Sequence, residues 1–312
     1  MTQETGEPGL NIAGFWRRIV AFVVDVLILG VVGLVAGTFL FDVFVHLGIY
    51  GRLLGFVVAF GYFGAFNSRL LGGQTPGKMV LGLRVVNAKG LSISLLQSFA
   101  RYTVLGMPFF LNGLPLDLHS TGPWVIYPLS LIVFGLGLSI VYLYTFNRRT
   151  RQSLHDLAVG SYVVRIQPHE QRLPMLPVWK GHWVVVGLLA FASLALPVAA
   201  NHQAQDQALA DLLPAHESLS AQPHVIRASI AKNSVSMNGG KKSEYLVALL
   251  RLDSALTDDA VLAKDAARAM AKNYPAYTSA NAVIVELAYG YDIGIATGWK
   301  SRRYAFKPEE LK

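Results

Sequence analysis

Cysteine is absent from all 312 residues, and charged side chains make up only 15% of them. The first absence removes disulfide frameworks, thiolate metal sites and cysteine nucleophiles. The second sits poorly with a soluble protein, because 53% of the residues are hydrophobic and the mean hydropathy is +0.42. Acid is scarce where the chain is most apolar: residues 1–200 carry 14 Lys/Arg against 7 Asp/Glu, whereas residues 201–312 carry 13 against 12. Seven of the eight units of net positive charge thus fall in the apolar part. Those basic residues stand at the ends of apolar runs and not on a polar face interleaved with aromatics, which excludes nucleic acid as a partner. Catalytic patterns are missing as well. No Gly-x-Ser-x-Gly elbow occurs, and the eight histidines are scattered with no i, i+4 pair around a carboxylate, so neither an enzyme nor a metal site is expected.

Long apolar runs dominate instead, and the expected surroundings are a lipid bilayer. Five segments approach the length needed to cross about 30 Å of hydrocarbon at about 1.5 Å per residue: Arg18–Phe41, Leu53–Leu71, Phe99–Leu116, Trp124–Phe146 and Trp183–Ala200. The third, with Pro108, Asn112, Gly113 and Pro115, reads as a kinked or re-entrant span. Basic residues mark the cytoplasmic side. Arg17 and Arg18 put residues 1–17 inside; Arg69, Lys78, Arg84, Lys89 and Arg101 form one inside loop; Arg148, Arg149, Arg151, Arg165, Arg172 and Lys180 form another. Five crossings satisfy this pattern with Arg52 as the exception. They make the protein a multi-pass inner (cytoplasmic) membrane protein with its C-terminal domain outside.

Between the spans, Met79–Asn87 and Ser161–Gln167 read as strands of a small cytoplasmic β-sheet, and residues 167–181, with Pro168, Pro174 and Pro177, as a linker to the last helix at 182–200. Residues 201–312 change composition and read as a soluble α+β domain. Strands are expected at Val225–Ser236 and Tyr245–Leu252, joined by the turn Asn238-Gly239-Gly240-Lys241. A helix follows at Asp258–Asn273, packed through Val261, Ala266, Ala269 and Met270, then strands at Ala282–Tyr289 and Asp292–Phe306, a ββαββ order.

Three stretches carry a resemblance. Ala13-Gly14-Phe15-Trp16-Arg17-Arg18 with Ala21 and Asp25, then Gly73-Gln74-Thr75-Pro76-Gly77-Lys78 with Leu81–Val86, then Asn147–Leu157 together resemble the RDD family of bacterial membrane proteins over residues 13–166. The resemblance implies a helical membrane domain in which Arg18 is the family's named arginine and Asp25 and Asp156 are its two aspartates. It also implies a transport role, with ion or proton exchange proposed for some members. The last span and the domain beyond it lie outside the resemblance.

Asp25 lies seven residues beyond Arg18, roughly 10 Å into the first helix, where a carboxylate costs on the order of 2.5 to 3.5 kcal/mol. It is either a proton or cation site or a carboxylate locked in a contact that fixes helix packing. Side chains lean toward the helix N-terminus, which keeps Arg18 and Asp25 apart; the expected partners of Asp25 are Arg101 and Tyr102, or Lys78. Gly73–Lys78 departs from a phosphate-binding loop, with Met79 where Ser or Thr is needed, and reads as a tight turn with positive φ at Gly77, so no cofactor is expected. Gly33/Gly37 and Gly51/Gly55 have the spacing for close helix contact, within one chain or in a homodimer. His155 beside Asp156 reads as a surface neighbour. The preferred function is a transporter-like protein for ions or small ligands. Its rival is a non-transporting scaffold that anchors an extracytoplasmic domain binding a partner of unidentified kind.

Overall fold

The computed structural model describes residues 12–114, 122–166, 177–204, 210–236 and 242–311; the turn 238–241 and most of the linker 167–181 lie outside the described residues. Contacts divide the chain into two compact units. Met1–Val35, Ile49–Ala199 and Ile293–Ala296 form the first, and Ala36–Gly48, Ala200–Asp292 and Thr297–Lys312 the second.

The first unit is built on helices α1 (Phe15–Phe39), α3 (Gly51–Phe66), α5 (Leu95–Leu111), α6 (Pro123–Ser130), α7 (Gly137–Phe146) and α9 (Lys180–Ala204), with α2 (Phe41–Leu47) intervening after α1. Among the described residues four helical stretches are long and apolar enough to cross a membrane: Phe15–Phe39, Phe41–Phe66, Pro123–Phe146 and Lys180–Ala199. Their outer faces expose large apolar side chains such as Leu27, Val57, Val141 and Phe191, as lipid-facing helices do. The chain is a membrane protein on this ground. α5 has 17 residues and begins at Leu95, four positions before the expected Phe99, because Ser94 and Gln97 close a capping box at its start. Pro108 stands inside it.

A π-helical turn, Leu131–Leu136, joins α6 to α7. At this turn Gly135 lets the backbone approach α9: a Cβ there would meet Ser193 Oγ and Ala190 Cα. Ser130 Oγ donates to Ser193 O at 2.6 Å.

The connections between helices carry short elements. β1 (Leu83–Asn87) pairs antiparallel with β2 (Ser161–Arg165), from Leu83↔Arg165 to Asn87↔Ser161. The strand expected from Met79 starts at Leu83, because Met79 belongs to a one-turn helix α4 (Pro76–Val80). Thr75 caps that helix and Pro76 occupies its first turn, a pairing favoured by side-chain capping and by proline's fixed φ. Gly77 therefore has helical backbone and not the positive φ of a tight turn. Helix α8 (Leu154–Val159) opens with a second capping box, between Ser153 and Asp156.

In the second unit, α10 (Leu213–Ser220) precedes β3 (Val225–Ser236), β4 (Lys242–Leu252), α11 (Ala260–Asn273), β5 (Ala282–Asp292) and β6 (Thr297–Phe306). The sheet order is β3-β4-β5-β6. β4 and β5 run parallel, so α11 serves as the crossover that a parallel pair requires, and the other pairs are antiparallel. Leu246, Ala248, Leu250 and Leu252 alternate into the core with Val283, Val285 and Leu287. α11 meets them through Ala263, Ala266, Ala267 and Met270, a helical i, i+3, i+4, i+7 stripe, whereas Val261, expected to pack, is exposed. Asp259 caps α11 by accepting from Val261 N and Leu262 N, both at 2.9 Å. Helix α2 belongs to this unit: the Tyr289 hydroxyl donates to Asp42 at 2.6 Å, and Phe41 and Phe44 meet the Tyr291 ring edge-on.

Candidate functional site

At one end of the helical unit the three loop regions meet, and they bring Arg18, Asp25, Lys78, Arg101 and Asp156 inside the fold together, each buried. Two carboxylates organise the cluster.

Asp25, fully buried on α1, is held by the loop that leads into α4. Thr75 Oγ1 donates to one carboxylate oxygen; the Gly77 amide and the Tyr62 hydroxyl donate to the other at 2.8 Å each. The close approach needs glycine, since a Cβ at position 77 would collide with the carbonyl oxygen of Ala21. Lys78 reaches this group only through Thr75, to whose Oγ1 its Nζ donates at 3.3 Å. The expected ionic or tyrosyl partners on α5 are not the ones used: Tyr102 stacks on Phe63, with ring centroids 4.8 Å apart, and the Arg101 guanidinium is committed elsewhere.

That commitment is to Asp156. Arg101 donates from Nε and Nη2 to Oδ1 at 2.9 and 2.7 Å, and Arg18 donates from Nη2 to Oδ2 at 2.6 Å. Ser153 N and Ser161 Oγ complete the shell at 3.2 and 3.3 Å. Arg18 also donates to the Arg151 carbonyl and lies 4.7 Å from the centre of the Tyr144 ring. One fully buried carboxylate thus ties α1, α5 and α8 together with charge-assisted hydrogen bonds. Burial alone would raise the Asp156 carboxyl, but Arg101 and Arg18 reverse this and hold its pKa well below the ordinary carboxylate range.

Two further groups owe their character to burial in the fold. His155, read from the sequence as a surface neighbour, is buried, and its Nδ1 has no hydrogen-bond partner among the described residues. Burial is the main cause that lowers it from 6.5 to about 3, against the pull of Asp156. Lys78 is lowered from 10.5 to about 7, by burial first and then by the charge of Arg101, with Asp25 pulling the other way.

Arg18, Lys78, Arg101 and His155 line one end of a cavity of about 290 Å³. Its other walls are mostly apolar and include Phe22, Phe63, Leu105 and Val141, with Thr145 and the rings of Tyr102 and Tyr144 among them. Asp25 and Asp156 are not among the lining residues, so the cavity presents cations while the carboxylates stay behind them. The glycine positions are also occupied within the unit: a Cβ at Gly33 would meet Ala296, and one at Gly55 the carbonyl of Ile293. Among the described residues no group of His, Asp and Glu is arranged to hold a metal ion.

The imidazole makes a prediction. A folded pKa of about 3 against 6.5 when unfolded means that, as pH falls below 6.5, the unfolded chain takes up a proton that the fold refuses. Stability is therefore fully present above 6.5 and falls by about 1.4 kcal/mol per pH unit as the medium is acidified toward the folded value. The windows of Lys78, from about 7 to 10.5, and of Asp156, below 3.8, lie outside the interval from pH 7 to pH 5. The melting temperature of the detergent-purified protein should drop across that interval, and His155→Gln should flatten the drop. An equal drop in the variant would remove His155 as its source.

Residues 12–160 match the family model described as RDD family. The chain is 31% identical over 101 residues to a Bacillus subtilis (strain 168) protein described as "Uncharacterized protein YckC", an alignment covering 32% of this chain and 53% of the relative. The chain thus spans about half the length of the curated relative it matches. No solved structure matches it.

Proposed function

Residues 12–160 being an RDD-family domain, we propose that this membrane domain acts in transporter-like fashion on a small anionic ligand. Cations or protons passing through Asp25 are the weaker alternative. The observation that carries this reading is the cavity whose lining holds Arg18, Lys78 and Arg101 but neither carboxylate. Asp25 already accepts three hydrogen bonds and has the role of a clamp between α1 and the loop before α4. A carboxylate that carries protons needs a partner or water path that can change, and this one is enclosed by a tyrosine, a threonine and a backbone amide.

Reconstitution in sealed vesicles containing a pH dye tests the choice. Imposed sodium or potassium gradients should move no protons, while an anion gradient should be dissipated faster than in protein-free vesicles. Cation-driven acidification that vanishes in Asp25→Asn would falsify the anion reading. The scaffold reading is favoured by the locked Arg18–Asp156–Arg101 cluster and by the separate C-terminal unit, and it predicts vesicles that carry out neither process.

The orientation proposed for the domain is N-terminus inside and C-terminal unit outside the bacterial inner membrane, on the strength of the basic residues around Arg69–Arg101 and Arg148–Lys180. Because the chain lacks cysteine, single cysteines at the exposed positions Arg149 and Ala255 can be probed with a membrane-impermeant thiol reagent on cells with a permeabilised outer envelope. The reagent should label position 255 and spare position 149. The reverse pattern would invert the topology.

A further inference from the structure

We infer that the ligand of the RDD cavity is a membrane phospholipid with an anionic headgroup, which enters sideways from the bilayer between α1 and α7. The inference rests on the anion reading above and narrows the source of the anion to the bilayer.

The two ends of the cavity differ in chemistry. At the charged end, hydrogen-bonding capacity is left over. Among the described residues Lys78 Nζ makes one hydrogen bond, a long one to Thr75. Arg101 uses Nε and Nη2 on Asp156, which leaves Nη1. His155 Nδ1 is buried without a partner among the described residues. Buried polar atoms are ordinarily satisfied, so an unsatisfied one on a residue that lines a cavity marks polar capacity the fold leaves unused beside that space. Guanidinium and ammonium groups side by side suit a phosphate, whose several oxygens accept from both.

The opposite end offers a free ion little, since the Thr145 hydroxyl there already donates to the Val141 carbonyl at 2.9 Å. It is walled by Phe22, Phe63, Leu105 and Val141. Phe22 on α1 and Val141 on α7 are also 41% and 63% exposed. On helices of membrane length such exposure faces hydrocarbon, so the cavity reaches the lipid at this edge. Phe15 on α1 and Tyr144 on α7 both line the cavity and stand in ring contact at 5.2 Å, which sets these two helices side by side along it. A soluble anion matches one end of this space, whereas an amphiphile matches both. The volume, about 290 Å³, lies at the low end of the roughly 300 to 1,000 Å³ typical of small-molecule sites. It accommodates a headgroup and the start of its chains, with the remainder left in the bilayer.

Native mass spectrometry of the full chain in a neutral detergent tests this, with phosphatidylglycerol and phosphatidylcholine of matched chains as probes. One phosphatidylglycerol should bind about tenfold more tightly than phosphatidylcholine. Lys78→Gln should remove that preference at the charged end, and Thr145→Trp, which leaves the charges in place and fills the cavity beside Val141, should remove it at the apolar end. Should Lys78→Gln fail to fold, Thr145→Trp carries the test alone. Equal retention of the two lipids, or a preference that survives in every folded variant, overturns the proposal. Inorganic phosphate that binds at the same charged residues and excludes the lipid overturns the bilayer as source but leaves the anion reading intact. If neither probe binds, both readings fall.

Discussion

Asp156→Asn should prevent the accumulation of folded protein. Two buried guanidiniums, Arg18 and Arg101, would lose their counter-charge at once, and a buried cation stripped of its partner typically costs about 3 to 5 kcal/mol. Whole domains are stable by only about 5 to 15 kcal/mol, so a loss of that size dominates the outcome. The same substitution weakens the capping box of α8, because the Asp156 carboxylate accepts from Ser153 N. Combining it with Arg101→Gln removes one uncompensated cation and should restore part of the yield. Detergent extracts compared by size-exclusion profile and melting temperature give the readout. A single variant that elutes and melts like the parent would show that the cluster does not hold the fold together.

Asp25→Asn should destabilise less, by about 1 to 3 kcal/mol, the range for leaving a buried hydrogen-bonding group unsatisfied. All three neighbours donate, so an asparagine must turn its NH2 group toward at least one of them. Arg101→Gln should not rescue this variant, since Arg101 bonds to Asp156, and should lower stability further. Gly77→Ala should reproduce much of the Asp25→Asn defect by pushing the loop off α1, although the carboxylate is untouched. Rescue by Arg101→Gln would mean that Asp25 answers to the guanidinium after all. An unchanged melting temperature in Asp25→Asn would remove the clamp and reopen the proton route.

Asp25 can be picked out of the chain as an ionisable residue inside an apolar helix, and the motif resemblance adds Arg18 and Asp156, but that Arg18 bonds Asp156 and not Asp25 is visible only in the fold. The ligands of Asp25 are harder to read, because one is a backbone amide, which has no letter in a sequence. Thr75-Pro76 nonetheless carries a signal: a hydroxyl residue followed by proline is how a helix starts, and this start places α4 and the amide of Gly77. Tyr62, a hydroxyl inside an apolar run, was the other visible hint. The burial of His155 depends on how the chain folds back after Asn147, and the contact between Asp42 and Tyr289 joins residues 247 positions apart. Neither depends on local pattern. In the C-terminal unit the alternation along β4 and β5 was legible because one face of each strand is buried, but the residue pairing the two strands in parallel was not, since periodicity is the same in either direction.

The Arg18–Asp156 pair also sets a clock for biosynthesis. Its members lie 138 residues apart, so at synthesis rates of about 5 to 20 residues per second the ribosome needs roughly 7 to 28 s to supply the second after the first. Throughout that interval Arg18, and later Arg101, must wait at the water boundary, because neither guanidinium has the carboxylate that lets it enter the fold. Closure of the charged end consequently waits for a single acidic residue, which arrives when half of the 312 residues have been made. A nascent chain halted short of position 156 lacks the carboxylate that joins Arg18 to Arg101, and its charged end stays open.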